Sequence, residues 1–387
     1  MEAKNSADLA IVGAGIVGLA HAYHALRKGL KVVLFERELF AIGASVRNFG
    51  MIWPIGQQPN EGLDLALRSR EHWMEISNQA GFWLNPSGSL HVVYHQDEWD
   101  VLNEFAAMYS ADPYQLQLLS PEEVLKKSPA VNPKGLIGGL WSSTECVVNP
   151  REAVRRIPVW LNEKFGLNLC FGQQVKEISL PKVITSKETW MVDKVIVCSG
   201  MDFRTLYPEV FKQHSVTQCK LQMMKAVRVD EEFDIGPSLC AGLTLRHYQA
   251  FTNCPSLKKV DARYDAESME FKDHGIHVLL SQNNHGELII GDSHHYGLTH
   301  EPFDSERINR IILDYLSTFI KIKEFNITER WHGIYPKLSG KINLVVEPEK
   351  NVTIVNGLGG AGMTLSFGLA ERVIQERYSS TLESSFA

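Results

Sequence analysis

Three glycines and one acid have the types and spacing to hold a dinucleotide. Gly13, Gly15 and Gly18 form a G-x-G-x-x-G run directly after the apolar stretch Leu9 to Val12, and Glu36 lies 18 residues beyond Gly18. Gly13 permits a tight turn, Gly15 lets backbone approach a pyrophosphate, and Gly18 lets a helix pack closely on a sheet. Ile16 and Val17 open the helix that follows, whose free N–H groups and positive dipole end suit phosphate. Glu36 can accept hydrogen bonds from both ribose hydroxyls and disfavours a 2′-phosphate, with Arg37 beside it as a further cofactor contact. NADP is not expected here, whereas FAD and NAD both remain open on this stretch alone.

A second glycine cluster lies near the other end of the chain. Gly357, Gly359, Gly360 and Gly362 follow the strand-like Asn351 to Asn356, and Ala361, Met363 and Thr364 lead into a helix expected from about Leu365 to Tyr378. Reduced flavin carries its charge near N1 and O2, so a second helix N-terminus suits a flavin and answers no need of a nicotinamide. Two such helix starts favour FAD over NAD. Between them, the stretch 43–58 (GASVRNFGMIWPIGQQ) is too rich in Gly and polar groups for a helix. Ser45, Arg47 and Asn48, with the backbone at Gly50 and Met51, are expected to line the cofactor from pyrophosphate to ring. The strand Lys194 to Cys198 ends in Ser199 and Gly200, a second pass beside the nucleotide, with Val175 placed to touch the adenine.

The elements that must position these residues can be read from periodicity and caps. Helical patterns cover 61 to 80, Asp97 to Tyr109, Pro150 to Phe165 (perturbed by Pro158) and Ser305 to Ile320, and Ser120 to Glu123 reads as a capped helix start. Paired short strands are expected around Leu167 to Cys170 and Gln174 to Ile178. Residues 219 to 300 alternate in the manner of antiparallel strands, with a hairpin turning at His285 and Gly286. The fold class expected is α/β: a Rossmann-like FAD-binding domain (1–85, 146–218 and 325–387) with an inserted α+β substrate domain (86–145 and 219–324) built on a mainly antiparallel sheet. The tail SSTLESSFA is expected to be disordered.

Composition narrows the function classes. The 387 residues carry 39 Lys+Arg against 45 Asp+Glu, a net charge of −6 with no basic block, which argues against nucleic acid and against an RNA-modification or interaction module. Six cysteines show neither C-x-x-C nor a ligand spacing with histidine, so no metal site or disulfide framework is indicated, and reduced thiols in a cytoplasm are expected. No membrane span is expected, because no stretch approaches the roughly 18 uninterrupted apolar residues one needs.

Taken together, the motif at Gly13 to Gly18 with Glu36, the GASVRNFGM loop, the VIVCSG strand, WHGIYP at 331–336 and NGLGGAGMTLSFGLAERV at 356–373 resemble the FAD-dependent amine oxidoreductases of the D-amino acid oxidase, glycine oxidase and sarcosine oxidase type. The resemblance implies FAD across the sheet, a small amine over the flavin face, hydride transfer to flavin N5, and an imine that hydrolyses to an aldehyde, with O2 or a quinone or other carrier as electron acceptor. Gly333 would lie on the cofactor side, and Tyr335 and Trp331 on the substrate side of the flavin.

Two departures from that pattern matter. Relatives that oxidise α-amino acids use a Gly-x-Arg-Pro segment whose arginine forks onto the carboxylate, whereas this chain has Gly333-Ile334-Tyr335-Pro336. Sarcosine oxidases attach flavin to a cysteine in this region, and no cysteine follows Cys254, which implies non-covalent FAD. Arg246, within Arg246-His247-Tyr248 on the expected substrate sheet, is the first replacement anion anchor, followed by Arg47 and Lys337. His294-His295 is read as a hairpin-end surface feature ahead of a metal pair or substrate contact. The 43–57 loop also resembles a branch of the family associated with aminophosphonate breakdown, which would account for the missing carboxylate fork. The alternative is an amino acid or 2-hydroxyacid oxidoreductase with another carboxylate anchor.

Overall fold

A computed structural model describes residues 5–109, 113–227, 234–321 and 326–378; the tail expected to be disordered lies outside them. The first sheet is built on five strands that run parallel. Ser6–Val12 pairs on one side with Val32–Glu36, which pairs with Asn168–Phe171, and on the other side with Thr189–Val197, whose second half pairs with Val352–Asn356. Alternation along the strands sends Leu9, Ile11, Val32 and Leu34 to one core and Ala10, Val33 and Phe35 to the other. The first core is closed by the helices Ile16–Arg27, Glu61–Ala80, Pro150–Phe165 and Gly362–Tyr378. Burial on both faces explains the apolar runs of Val32–Glu36 and of the second half of Thr189–Val197, whereas the edge strand Asn168–Phe171 is only partly covered.

The second, nine-stranded sheet is mixed. Its long central strand Thr217–Val227 pairs antiparallel with Asn326–Lys337 along nearly its whole length, and also with His295–Gly297 and Leu288–Gly291. Ser238–Ala241 runs parallel to Ser89–Val93, so the sheet is not antiparallel throughout. The hairpin Leu279–Gln282 to Leu288–Gly291 is present, with Gly286 at φ +74° in its turn. A small sheet of Met51–Ile52, Cys146–Val148 and Leu84–Asn85 adds a third layer of pairing.

Four sequence expectations need correction. The short strands near 168 and 175 do not pair with each other. Asn168–Phe171 extends the parallel sheet beside Val32–Glu36, and Val175–Ser179 forms a hairpin with Lys182–Thr185, because Gly172 at φ +65° turns the chain between them. The helix Pro150–Phe165 runs continuously through buried Pro158. Arg246 lies in the 3₁₀ turn Gly242–Arg246 that follows Ser238–Ala241, not on a strand. The C-terminal helix begins at Gly362, one turn earlier than its apolar periodicity suggests, because its glycines are part of the first turn. Among the described residues no helix is long and apolar enough to cross a membrane.

Candidate active site

The carboxyl ends of the parallel strands open into a cavity of about 740 Å³ that continues to the face of the second sheet. Ligands of open α/β sheets bind at that edge. The first strand ends at Gly13, whose φ of +103° and position 2.4 Å (for an added Cβ) from the Cys198 carbonyl exclude any side chain. At Gly18 an added Cβ would lie 1.9 Å from the Gly13 carbonyl, so this glycine serves the helix-on-turn contact and does not itself line the cavity. Gly15 lines the cavity, and an added Cβ would meet Ser45 Oγ at 3.0 Å.

The polar groups of this cradle hold one another in place. Ser45 Oγ accepts a hydrogen bond from the Ile16 amide at 2.9 Å, satisfying one free donor of the helix N-terminus. Glu36 accepts from the Ala14 amide and the Glu38 amide, both at 3.0 Å, which fixes its carboxylate at the strand end and leaves lone pairs for hydroxyls. Arg37 lines the same end and is paired with Asp202 at 2.9 Å. Val17, Val175, Ser199 and Gly200 complete the wall, and the buried Ser199 hydroxyl has no protein partner. Asn356, which sequence reasoning missed, donates to the Gly200 carbonyl at 2.9 Å and accepts from the Gly357 amide at 2.7 Å, joining the two glycine-bearing turns.

Farther along the cavity, Gly359, Gly360, Ala361, Gly362, Met363 and Thr364 present the start of the C-terminal helix, opposite Gly333 and Tyr335. An added Cβ on Gly360 would come 3.5 Å from the Tyr335 hydroxyl. Thr364 Oγ1 also accepts from the Trp53 amide at 3.0 Å, so it braces the loop as well as lining the wall. Asn48 and Met51 line the wall, whereas Gly50 does not: at φ +74° it packs against the Val148 carbonyl. Trp331 is likewise off the wall. Its indole Nε1 donates to the Arg47 carbonyl at 3.4 Å and its ring lies 5.2 Å from the Arg151 guanidinium, so it supports the loop from behind.

Arg246 reaches the cavity wall, but its guanidinium is committed to Asp261 at 2.8 Å and Asp265 at 2.6 Å, both on the helix Leu257–Glu267. It is thereby neutralised as an anion anchor. Arg47 and Lys337 also line the cavity, and neither has an acidic partner among the described residues; Arg47 donates only to the His332 carbonyl, at 3.3 Å.

The far end of the cavity holds an unexpected cluster. His247 stacks on His277 with ring centroids 3.7 Å apart and planes within 18°, and His277 lies 5.0 Å from His294 at 21°. His294 is buried, contrary to its expected place on a hairpin surface, and hydrogen-bonds through Nδ1 to the Gly275 carbonyl at 2.9 Å. Asp292 lies beneath, with Oδ1 3.0 Å from His277 Nε2 in a contact that does not meet the geometry of a hydrogen bond. Burial, and secondly His277, push the imidazole of His247 well below its ordinary pKa, and burial lowers that of His294 against the pull of Asp292. Burial raises the phenols of Tyr248 and Tyr335 well above theirs, so both stay protonated. Nothing local in the sequence marks His277 or Asp292; the pairing of two strands brings them together, each donating its amide to the other's carbonyl.

Comparison with known proteins agrees with this architecture. The family model described as FAD dependent oxidoreductase (DAO) matches residues 8–376. A glycerol 3-phosphate dehydrogenase from Caloramator mitchellensis is 25% identical over 203 residues, 50% of this chain and 42% of that protein. The match spans about half the length, or less, of the first such curated relatives. Among solved structures, L-proline dehydrogenase from P. horikoshii superposes with a TM-score of 0.80 at 19% identity, covering 97% of this chain and 94% of the other. Glycine oxidase from Geobacillus kaustophilus gives 0.76 at 19%, covering 97% and 95%. The glycine cradle, the fixed Glu36 and the orphaned Ser199 hydroxyl fit a dinucleotide, and the chain belongs to the FAD-dependent oxidoreductases of the DAO family, with FAD as its cofactor.

Proposed function

We propose that this chain oxidises a small primary or secondary amine bearing a phosphonate, an aminophosphonate or its N-methyl form, to an imine that hydrolyses to the aldehyde. The observation that carries the reading is the distribution of cations in the cavity. The family's arginine position holds Tyr335, Arg246 is neutralised by two aspartates, and Arg47 and Lys337 line the cavity without acidic partners among the described residues. Two separate cations suit a tetrahedral dianion better than a planar carboxylate, which favours one bidentate fork.

Bound FAD supplies a two-electron acceptor. Around it, we assign the pyrophosphate to the Gly13–Gly15 turn and the amides of Ile16 and Val17, the ribose to Glu36, and the adenine to Val175. The Gly359–Thr364 turn would meet the ring's pyrimidine edge. Tyr335 and Tyr248, kept as neutral phenols by burial, would bound the substrate space without adding charge. This division gives the cofactor to 1–85, 146–218 and 325–387 and the substrate to 86–145 and 219–324. A cytoplasmic setting is part of the reading, supported by six cysteines that are all buried and unpaired, and O2 or a quinone-type carrier would take the electrons.

A second reading replaces the amine with a hydroxyl on a small phosphate ester. The half-length similarity to a glycerol 3-phosphate dehydrogenase favours it, and both readings share a short carbon chain ending in a tetrahedral dianion. Anaerobic mixing of the yellow protein with N-methyl aminophosphonate, aminophosphonate, glycine, sarcosine and glycerol 3-phosphate separates them. Bleaching by the phosphonates at the lowest concentrations supports the first reading. A flavin that no amine bleaches overturns it.

A further inference from the structure

We propose that His247 accepts the proton of the substrate's ammonium, with His277, His294 and Asp292 arranged behind it to hold the charge that arrives. The inference rests on the amine reading above and adds to it the group that makes the amine reactive.

The chemistry sets the need. A small aliphatic amine is an ammonium near neutral pH, as a lysine side chain with its pKa of about 10.4 is. An ammonium has no lone pair to push hydride off the neighbouring carbon, so its proton must leave first. In that step a substrate N–H bond breaks, its electron pair stays on nitrogen, and an imidazole N–H bond forms. With FAD bound as the two-electron acceptor, the neutral amine would give up hydride from carbon, and water would cleave the resulting iminium to the aldehyde and an ammonium.

The cluster has the parts for this. His247 is open to the cavity, whereas His277 and Asp292 are each 3% exposed. Two buried atoms of the cluster, His277 Nδ1 and Asp292 Oδ1, have no hydrogen-bond partner in the protein. Buried orphans of this kind signal a missing partner or a working site. Asp292 has no lysine or arginine within ion-pair distance among the described residues; its neighbours are His277 at 3.0 Å and His294 at 4.0 Å. A buried carboxyl group that faces only imidazoles gives the cluster acceptor atoms with no fixed cation beside them. The stack on His277 fixes the plane of His247, so the acceptor is oriented before substrate arrives.

The groups facing the cluster act in opposite senses. His277, His294 and Lys337 face His247 from three segments and each disfavours its protonation, so a proton arriving there depends on the Asp292 carboxyl group behind the stack; the Tyr248 ring meets His247 edge-on at 5.1 Å. Around Asp292 lie Tyr248, Tyr296, Tyr335 and Cys219, all protonated because burial raises them. No second carboxylate competes for the proton among these groups. A metal cage fits less well. The rings of His247 and His277 are stacked in nearly parallel planes, so an ion in the plane of one lies out of the plane of the other, and the nitrogens of the trio lie within 4.8 Å of one another, whereas a tetrahedral zinc site brings them to about 3.3 Å.

The test uses the FAD-loaded protein, the amine that bleaches it best, and the variants His247→Gln and Asp292→Asn. Wild type should reduce with an efficiency that is flat between pH 7 and 9. His247→Gln should lose about 10²-fold at pH 7, within the range for a general base, and regain it tenfold per pH unit as solution supplies the neutral amine. Calorimetry with an aminophosphonate whose nitrogen-bearing carbon has no hydrogen, run in two buffers of different ionisation heat, should show about one proton released to solvent by each variant and none by wild type. Retained absorbance and circular dichroism exclude misfolding, and if one variant fails that control the other carries both measurements. Variants with the wild-type pH profile and proton count overturn the inference while leaving the amine reading intact. A stoichiometric transition metal in purified wild type also overturns it, and a wild-type flavin that no amine bleaches overturns the amine reading itself.

Discussion

The Ser45 hydroxyl accepts a hydrogen bond from the Ile16 amide 2.9 Å away, across 29 residues of sequence. That contact ties the binding loop to the start of the motif helix, where pyrophosphate would sit. Ser45→Ala leaves the amide without this partner, and an N-terminal cap of this kind is worth about 1 kcal/mol. FAD should be released about five- to tenfold more readily, read by flavin fluorescence on dilution, while the fold stays intact by circular dichroism.

Gly13→Ala should be far more severe. The residue holds φ +103°, and its added Cβ would lie 2.4 Å from the Cys198 carbonyl, part of the neighbouring parallel strand's exit. Backbone cannot yield there as the end of a flexible side chain could. The purified variant should be colourless, and an absorbance ratio near that of wild type would refute the assigned turn.

Arg47→Met and Lys337→Met test the anion anchor. Losing one charge-assisted contact to a dianion costs about 2–3 kcal/mol. Each variant should raise KM for a phosphonate-bearing amine roughly 30- to 100-fold in steady-state assays and leave an uncharged amine nearly unaffected.

Arg246→Met should behave differently, because its guanidinium already serves Asp261 and Asp265. KM for the phosphonate should move less than about threefold. Thermal unfolding should fall by the equivalent of about 1 kcal/mol, as for partly exposed ion pairs. A large KM effect would restore Arg246 to the substrate site.

Acid should unfold the protein partly through buried histidines that do not line the cavity. Burial lowers His21 to about 4 and His91 to about 3, and both ring nitrogens of His91 lack partners. Their folded values lie below the unfolded value near 6.5, so between these limits the unfolded chain binds more protons. Stability is therefore fully present above pH 6.5 and falls as pH drops toward 4, by up to about 1.4 kcal/mol per unit for each histidine. Urea titrations at pH 7.5, 6 and 5 should show the decline, and His91→Leu should flatten it.

What could be read from the sequence was what is local. The strand, three glycines and Glu36 lie within one short unit, so their spacing alone specifies their geometry, and Val32–Glu36 and Val352–Asn356 announce themselves as short, mostly apolar runs that the sheet buries. The ion pairs of Arg246 were not legible because its partners Asp261 and Asp265 lie one and two turns into a helix whose polar sequence gives little periodic signal. His247, His277 and Asp292 come from a turn and from the segments just beyond the paired strands Leu279–Gln282 and Leu288–Gly291, and only the backbone pairing of His277 with Asp292 creates the cluster. Trp331 looked like an active-site aromatic, and the two-residue alternation of its strand does place it on the face of Gly333 and Tyr335, but the cavity wall begins at the next residue, and Arg151 and the Arg47 carbonyl claim the indole.

The loop after Gly43 has a wider consequence. Ser45 is bonded to the motif helix, Arg47 to the His332 carbonyl, and the Phe49 carbonyl to Ser281 of the second sheet at 2.9 Å. Five residues thus stitch the nucleotide cradle to the wall that would sort substrates. Selection for a new amine at Arg47 would be felt as a change in cofactor retention at Ser45, so substrate range and flavin loading in this chain are expected to drift together under mutation.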